Sequence, residues 1–222
     1  MRENKMVFEP VMRTDEHHVF KHAQLLELSN NKDIDVVFLG DSITRRWEDN
    51  IDLWNTYFSS FRPANFGVGM DCVQHIKWRL LNGELDGMNP KALILLAGTN
   101  NLDTNTASEI VEGIGELLEI VQKKLPKTKV LCLAIYPRGP DENGIDYSEK
   151  ILEINKALAE LCVAGGFFFA DIGSYLLGRD GEVQEHLQPD GLHPNHEGYA
   201  ILGPVLADII DKLLYRASLQ DR

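Results

Sequence analysis

Short runs of apolar residues alternate along the chain with longer stretches in which apolar residues recur every three or four positions. The runs predict strands that are buried on both faces of a sheet. Five are predicted, at Ile34 to Leu39, Phe61 to Phe66, Ala92 to Ala97, Lys129 to Ile135 and Phe167 to Asp171. Helices are predicted between and after them, at Trp47 to Tyr57, Cys72 to Leu81, Ala107 to Lys124, Tyr147 to Val163 and His196 to Tyr215. This alternation is typical of βαβ units and predicts an α/β fold, a three-layer α/β/α sandwich around a five-stranded parallel sheet.

No repeat, low-complexity tract or Ser/Gly-rich linker divides the chain, and its 222 residues fit one domain. We expect that domain to span residues 33–216. Residues 1–32 are expected to form an N-terminal extension that packs on it, and residues 217–222 a C-terminal tail.

Composition narrows the classes of partner. Hydrophobic residues make up 44% of the chain and charged residues 25%, which is ordinary globular usage and argues against disorder. The formal net charge of −12 opposes nonspecific binding to nucleic acid or to an anionic membrane. A neutral or cationic small molecule is therefore the favoured substrate.

The cysteines and the N-terminus bear on the cellular compartment. Cys72, Cys132 and Cys162 lie far apart in apolar surroundings, as buried free thiols in a reducing compartment do. The first residues are charged and lack the apolar core of a signal peptide, and no apolar run approaches the ~18 residues that span a bilayer. We expect a cytoplasmic protein without a membrane span, unless a signal peptide has been removed.

Polar segments follow the first three predicted strands directly. They are Gly40-Asp41-Ser42, Gly67-Val68-Gly69 and Gly98-Thr99-Asn100. In a parallel sheet, ligands bind in the crevice beyond the carboxyl ends of the strands. We therefore expect the three segments to face one mouth, with the longer connections at residues 137–146 and 173–189 as its walls.

These segments and one more near the C-terminus supply the parts of a serine hydrolase. Ser42 is the candidate nucleophile, and its backbone N–H is a candidate oxyanion donor. In Asp190-Gly191-Leu192-His193, the spacing lets the carboxylate orient the imidazole, so that His193 is the candidate base. Gly69 offers a backbone N–H and Asn100 a side-chain amide, which would complete an oxyanion hole of three donors.

Each motif by itself is common as a turn or a helix cap, but the four together resemble the ordered blocks of the SGNH (GDSL-type) hydrolase superfamily. Within it, Asn65 to Gly69, Trp78 to Leu80 and Asn82 to Leu85 resemble the catalytic subunits of platelet-activating-factor acetylhydrolases, and bacterial carbohydrate acetylesterases share much of the pattern. The resemblance spans roughly Asp33 to Leu214.

The resemblance implies the SGNH-hydrolase (flavodoxin-like) fold and the following roles. Ser42, His193 and Asp190 would form the catalytic triad, and Ser42, Gly69 and Asn100 the oxyanion hole. No metal or other cofactor is required. Relatives often carry a second glycine after Gly69, where this chain has Met70, so the larger side chain bears on the length of acyl group accepted.

The predicted function is hydrolysis of small acyl esters, acetyl esters first, with an acetylated carbohydrate as one candidate substrate. Two alternatives stay open, namely transfer of the acyl group to an acceptor alcohol and a catalytically idle sugar- or lipid-binding module. A homodimer is also left open. His17, His18 and His22 lack the spacing of metal ligands, and we interpret them as a solvated helix face.

Overall fold

Five parallel strands form the centre of the structure, a computed structural model that describes residues 8–220. They are β1 Val36–Gly40, β2 Pro63–Gly67, β3 Ala92–Leu96, β4 Lys129–Leu133 and β5 Phe168–Ala170. Their order in the sheet is β2-β1-β3-β4-β5. The prediction of an α/β fold with a five-stranded parallel sheet is confirmed.

Seven α-helices accompany the strands in the described residues. They are α1 Glu16–Ser29, α2 Ser42–Arg45, α3 Ile51–Phe58, α4 Val73–Leu81, α5 Ala107–Lys124, α6 Ser148–Gly165 and α7 His196–Gln220. The bounds of α5 are those predicted, because Thr106 and Glu109 form a capping box at its start. The helix predicted from Trp47 is wrong at its beginning, since a 3-10 turn at Arg46–Asn50 precedes α3.

Helices cover both faces of the sheet and give the predicted three layers. Val37 and Leu39 point into a core shared with α1, α4, α5 and α6. Val36 and Phe38 point into a second core, shared with α3, α7 and the 3-10 turn. Every residue of β1 is buried, which explains why its sequence shows no alternation of polar and apolar positions.

The strand order places a crevice beside the end of β1. The chain passes from β1 to β2 on one side and then to β3 on the other, so the loops that follow β1 and β3 diverge. Gly40 ends β1 at a point where no side chain fits, since a Cβ there would lie 2.3 Å from the carbonyl oxygen of Leu96. The chain can therefore turn into α2 close to the neighbouring strand.

The segment before β1 packs on the sheet domain. Val11 N–H donates to the carbonyl of Gln74 at 3.1 Å, and Leu25 of α1 is buried in the first core.

His18 is fully buried, and the His22 side chain is 12% exposed with its Nδ1 2.7 Å from the buried carboxylate of Glu84. The interpretation of the three histidines as a solvated face is therefore wrong for His18 and His22 and right for the exposed His17. The spacing of apolar residues indicates which side of a helix is covered, but it does not report one buried polar position.

Residues 1–7 of the expected extension and residues 221–222 of the expected tail lie outside the described residues. Across residues 8–220, the structure contains no helix that is long and apolar enough to cross a membrane.

Candidate active site

Ser42 is the first residue of α2, directly after β1. Asp41 caps this helix, since its Oδ1 accepts a hydrogen bond from Ile43 N–H at 2.9 Å. Asn65 donates to the carbonyl of Thr44 at 2.9 Å, and Tyr199 donates to the carbonyl of Ile43 at 2.6 Å. Partners from β2 and α7 thus hold a helix of only four residues, and with it the serine.

Asp190 and His193 form a compact unit, as their spacing predicts. Asp190 Oδ1 accepts hydrogen bonds from the backbone N–H of His193 at 2.7 Å and of Leu192 at 3.0 Å. Asp190 Oδ2 lies 2.7 Å from His193 Nδ1. With Nδ1–H donating to this carboxylate, the imidazole presents the lone pair of Nε2 on its other side.

The lone pair of His193 Nε2 faces the hydroxyl of Ser42. The distance between Ser42 Oγ and His193 Nε2 is 2.8 Å, which is a hydrogen bond in which the hydroxyl donates. The two residues are 151 positions apart in the sequence, and only the fold brings them together. The chain Ser42–His193–Asp190 has the connectivity by which an imidazole activates a hydroxyl nucleophile.

The pKa values of this unit suit an imidazole base at neutral pH. Burial lowers the pKa of His193 below its ordinary value of 6.5 and outweighs the hydrogen bond to Asp190, which raises it. Burial raises the pKa of Asp190, but the hydrogen bonds from His193 and Leu192 outweigh it and bring that pKa to about 2. At pH 7 the imidazole is therefore neutral and the carboxylate is charged.

A different balance acts on Asp41, the residue that caps α2. Burial raises the pKa of this carboxyl to about 7, despite the hydrogen bond from Ile43 N–H.

The segments after β2 and β3 are tied to each other by two hydrogen bonds. Asn100 Nδ2 donates to the carbonyl of Asp71 at 2.9 Å, and Cys72 Sγ donates to the carbonyl of Asn100 at 3.2 Å. The amide of Asn100 has a second hydrogen, and Asn100 lines the cavity at the mouth. Gly69 lies in the turn that precedes Asp71, so both predicted donors of an oxyanion hole belong to this connected unit.

A cavity of about 650 Å³ opens over these residues. Its lining includes Met70, Asn100 and His193, together with residues of the connection after β4 such as Arg138 and Tyr147. The guanidinium of Arg138 stacks over the Tyr147 ring at 5.0 Å from its centre. The cavity is also lined by acidic residues, which are Asp103, Asp141, Glu142 and Asp190.

Both long connections were expected to line this mouth, but only one of them lines it. The connection after β4 does so, whereas the connection after β5 lines a neighbouring cavity of about 490 Å³, with Leu177 and Val183 in its wall. Gly139 N–H donates to the carbonyl of Gly191 at 2.7 Å, and both residues line both cavities. This hydrogen bond marks the boundary between them.

Four residues that sequence reasoning missed contact the site. Asn65 and Tyr199 support α2, Arg46 lies 3.9 Å from Asp190, and Arg13 reaches Gly69 from the N-terminal segment. Asn65 could have been identified from the sequence, because a polar residue near the end of a buried strand needs a hydrogen-bond partner. Nothing local marks Arg13, whose partner lies 56 positions away.

Comparison with known proteins decides the family. The profile described as the GDSL-like Lipase/Acylhydrolase family matches residues 38–201, which include Ser42, Gly69, Asn100, Asp190 and His193. The chain belongs to the GDSL-like lipase/acylhydrolase family. The resemblance to SGNH (GDSL-type) hydrolases is thereby confirmed, and as a GDSL-family member the protein is an esterase or acylhydrolase.

Curated relatives of this GDSL-family chain include subunits of one enzyme. Platelet-activating factor acetylhydrolase IB subunit alpha2 of Rattus norvegicus is 31% identical over 201 residues, which are 90% of this chain and 86% of the relative. Subunit alpha1 of the same enzyme, also from Rattus norvegicus, is 33% identical over 195 residues, which are 87% of this chain and 82% of the relative.

Solved GDSL-family structures share the fold. The crystal structure of a GDSL-like lipase from Bacteroides thetaiotaomicron superposes with a TM-score of 0.71 at 19% identity, over 89% of this chain and 97% of that one. At this level of identity the likeness shows the fold, the flavodoxin-like SGNH sandwich that the sequence predicted.

Proposed function

We propose that the protein is a serine esterase that removes short acyl groups, acetyl above all, from esters of neutral or cationic alcohols. Ser42 is the nucleophile, His193 the general base and acid, and Asp190 the residue that orients the imidazole. The backbone N–H groups of Ser42 and Gly69 and the amide of Asn100 form the oxyanion hole.

In the first half of the reaction, Ser42 Oγ attacks the acyl carbonyl carbon while His193 Nε2 takes the hydroxyl proton. The carbonyl oxygen becomes an oxyanion and is held by the three donors. When the carbon–oxygen bond to the alcohol breaks, the imidazolium gives its proton to the leaving oxygen. The alcohol departs and the acyl group stays on Ser42.

In the second half, water replaces the alcohol. His193 takes a proton from the water as its oxygen attacks the acyl carbon, and a second oxyanion forms in the same hole. Its collapse breaks the bond to Ser42 Oγ, which regains a proton from the imidazolium. The free acid leaves, and the enzyme returns to its starting state without a metal or other cofactor.

The observation that carries this proposal is the hydrogen-bonded relay, with Ser42 Oγ 2.8 Å from His193 Nε2 and Asp190 Oδ2 2.7 Å from His193 Nδ1. The acetyl group is supported by the relatives, whose names describe acetylhydrolases. The class of alcohol is supported by the cavity, whose lining among the described residues includes Asp103, Asp141 and Glu142 and one arginine, Arg138.

The test measures hydrolysis of p-nitrophenyl acetate, butyrate and octanoate by the wild type and by Ser42→Ala. We expect fastest turnover of the acetate and loss of turnover in the variant, with unchanged circular dichroism. Ser60→Ala, which changes an exposed serine, is the matched control and keeps full activity. A folded wild type without turnover would leave the idle binding module as the better interpretation, and equal turnover by Ser42→Ala would exclude the mechanism.

Asn100→Ala tests the oxyanion hole separately. Loss of one such donor lowers kcat by about 10²–10³, and we expect a decrease of that order with little change in KM. An unchanged kcat in the folded variant would remove Asn100 from the proposed machinery.

A second series of substrates tests the alcohol. Acetylcholine, an acetylated sugar and an acetyl ester with a carboxylate on its alcohol are compared by kcat/KM. We expect the anionic ester to be the poorest, and the acetylated sugar tests the carbohydrate candidate. Adding an acceptor alcohol and analysing the products separates hydrolysis from acyl transfer, because a transferase would give a new ester at the expense of free acetate.

A further inference from the structure

The loop that follows β2 makes a tight turn over Val68–Asp71. Asp71 N–H donates to the carbonyl of Val68 at 3.3 Å, which closes the turn. The second central residue, Met70, has φ 64°, whereas Gly69 keeps φ outside the left-handed region. A turn with positive φ at its second central residue alone is of type II, a conformation in which that place is ordinarily taken by glycine.

Methionine is an unfavourable residue at this place. Its Cβ crowds the backbone when φ is positive, and a type I turn would give it negative φ without that strain. The side chain gives little in return, since Met70 is 72% exposed. Something outside the turn must therefore hold it in the type II form.

Arg13 is placed to do so. Its Nη1 donates to the carbonyl of Gly69 at 2.6 Å and to Asp71 Oδ1 at 3.0 Å. The carboxylate of Asp71 is fully buried and is fixed from the other side by Arg79, whose Nε lies 2.7 Å from Oδ2. The guanidinium of Arg13 thus joins the central carbonyl of the turn to an anchored carboxylate.

The carbonyl that Arg13 holds is the one that distinguishes the two turn types. Types I and II differ by a rotation of about 180° of the central peptide, which here joins Gly69 to Met70. In the type I form the carbonyl of Gly69 would point away from Arg13 and the hydrogen bond would be lost. A charge-assisted bond to this oxygen therefore favours the type II form selectively.

The turn also carries the donors of the proposed oxyanion hole. Gly69 supplies its N–H from within the turn, and Asn100 is held by the carbonyl of Asp71, the last residue of the turn. Arg13 lies outside residues 38–201, which the family profile matches.

We propose that Arg13 is a positioning residue. Its bonds to the Gly69 carbonyl and the Asp71 carboxylate keep the Val68–Asp71 turn in its type II form and fix Gly69 and Asp71, the two residues that carry the Gly69 N–H and hold the Asn100 amide in place for the oxyanion. This inference rests on the proposed esterase function.

The kinetic test uses Arg13→Ala, Met70→Gly and the double variant on p-nitrophenyl acetate. We expect Arg13→Ala to lower kcat by about tenfold or more with KM within about twofold, because a displaced oxyanion donor acts on the transition state. In the double variant, glycine removes the strain of positive φ, and most of the lost kcat returns. A purely structural role of Arg13 predicts no such rescue.

Asp15→Asn is the matched control. It removes the other ion pair of Arg13, in which Nε lies 3.0 Å from Asp15 Oδ2, and keeps an oxygen that can cap α1. We expect its kcat to stay within about twofold of the wild type. A normal kcat in Arg13→Ala, or no recovery in a folded double variant, would overturn the proposal.

Crystal structures of the variants test the turn without relying on turnover. In Arg13→Ala we expect the Gly69 carbonyl to be rotated and Met70 to have negative φ, while the double variant keeps the type II turn. A type II turn in Arg13→Ala would refute the role of Arg13 even if the enzyme is active. A wild type without turnover would instead refute the esterase function, and the structures would still decide what holds the turn.

Discussion

Arg46 Nη2 lies 3.9 Å from Asp190 Oδ2, the same carboxylate oxygen that is 2.7 Å from His193 Nδ1. A permanent positive charge therefore stands beside the proposed base and the residue that orients it. The first cause of the lowered pKa of His193 is burial, and Arg46 lowers it further, with a smaller effect from Arg45.

Arg46→Gln should shift the pH dependence of activity. Only neutral His193 can accept the proton of Ser42, so kcat/KM of the wild type rises with pH and reaches half its maximum below pH 6.5, the ordinary value for histidine. Removing the positive charge raises the pKa of His193 and moves the midpoint to higher pH. The measurement is kcat/KM for p-nitrophenyl acetate between about pH 4.5 and 8, a range that brackets the ordinary histidine pKa.

Arg45→Gln serves as the comparison for this prediction. Arg45 is paired with Asp49 at 2.6 Å and affects His193 less, so we expect a smaller shift in the same direction. A midpoint that stays in place or moves to lower pH in Arg46→Gln would contradict the electrostatic argument.

Asp190→Asn should abolish most activity without unfolding the protein. The amide no longer favours the tautomer with hydrogen on Nδ1, so kcat should fall by at least about a hundredfold. The side chain of Asp190 is 48% exposed, and its loss should change the free energy of unfolding little. Rates with p-nitrophenyl acetate and thermal unfolding are measured together.

A second histidine–aspartate pair provides a matched control for that variant. His196 Nε2 lies 2.9 Å from Asp52 Oδ2 on the exposed surface. Asp52→Asn breaks an equivalent pair away from the serine and should leave kcat unchanged. If both variants were equally impaired, or both fully active, Asp190 would not have the proposed role.

Arg79→Met should destabilise the protein strongly. Arg79 is fully buried and pairs with two fully buried carboxylates, those of Asp71 at 2.7 Å and Glu84 at 2.5 Å. Without it, two carboxylates stay buried with one fewer partner, and we expect a loss of about 3–5 kcal/mol in the free energy of unfolding, measured in urea.

The ion pair of Arg62 and Asp35 near the surface, with an N–O distance of 2.6 Å, provides the control for this loss of free energy of unfolding. Arg62→Gln should cost less than about 1 kcal/mol, because Arg62 is 55% exposed and Asp35 keeps a second partner in Lys91 at 3.1 Å. An Arg79→Met variant as stable as Arg62→Gln would mean that the buried network contributes no more than a surface pair.

His18→Leu should weaken the acid sensitivity of the fold. Burial lowers the pKa of His18 below its ordinary 6.5, although Asp71 acts to raise it. As pH falls below about 6.5 the unfolded chain takes up a proton that the folded protein does not, so stability falls. His75 and His193 act in the same direction, whereas the raised pKa of Asp41 favours the folded protein as pH falls and opposes them. The variant should therefore lose less stability than the wild type between about pH 7 and pH 5, by the contribution of this one histidine.

His17→Leu makes the same substitution at the neighbouring exposed position. It should keep the wild-type dependence of unfolding free energy on pH. An unchanged slope in His18→Leu would show that His18 accepts a proton in the folded protein as readily as in the unfolded chain.

Short-range patterns in the sequence were sufficient to predict the central sheet and the residues at the ends of its strands. Continuous apolar runs indicate strands with two buried faces, and parallel strands bring the segments after them to one edge of the sheet. Asp190 and His193 were also predictable as a pair, because three residues are a short enough separation for one turn to join them. Ser42, Gly69 and Asn100 follow strands whose positions the pattern predicts.

Only the tertiary structure showed which polar groups from distant parts of the sequence contact these site residues. Nothing in the sequence pairs Arg13 with Gly69, Arg46 with Asp190 or Arg79 with Glu84, and nothing local indicates that His18 is buried. Hydrophobic periodicity reports which face of an element is covered, but a hydrogen bond between elements requires its two atoms within about 3 Å. That distance depends on how helices and loops pack on the sheet. The main-chain scaffold was therefore predictable, while the polar contacts around the proposed active site were not.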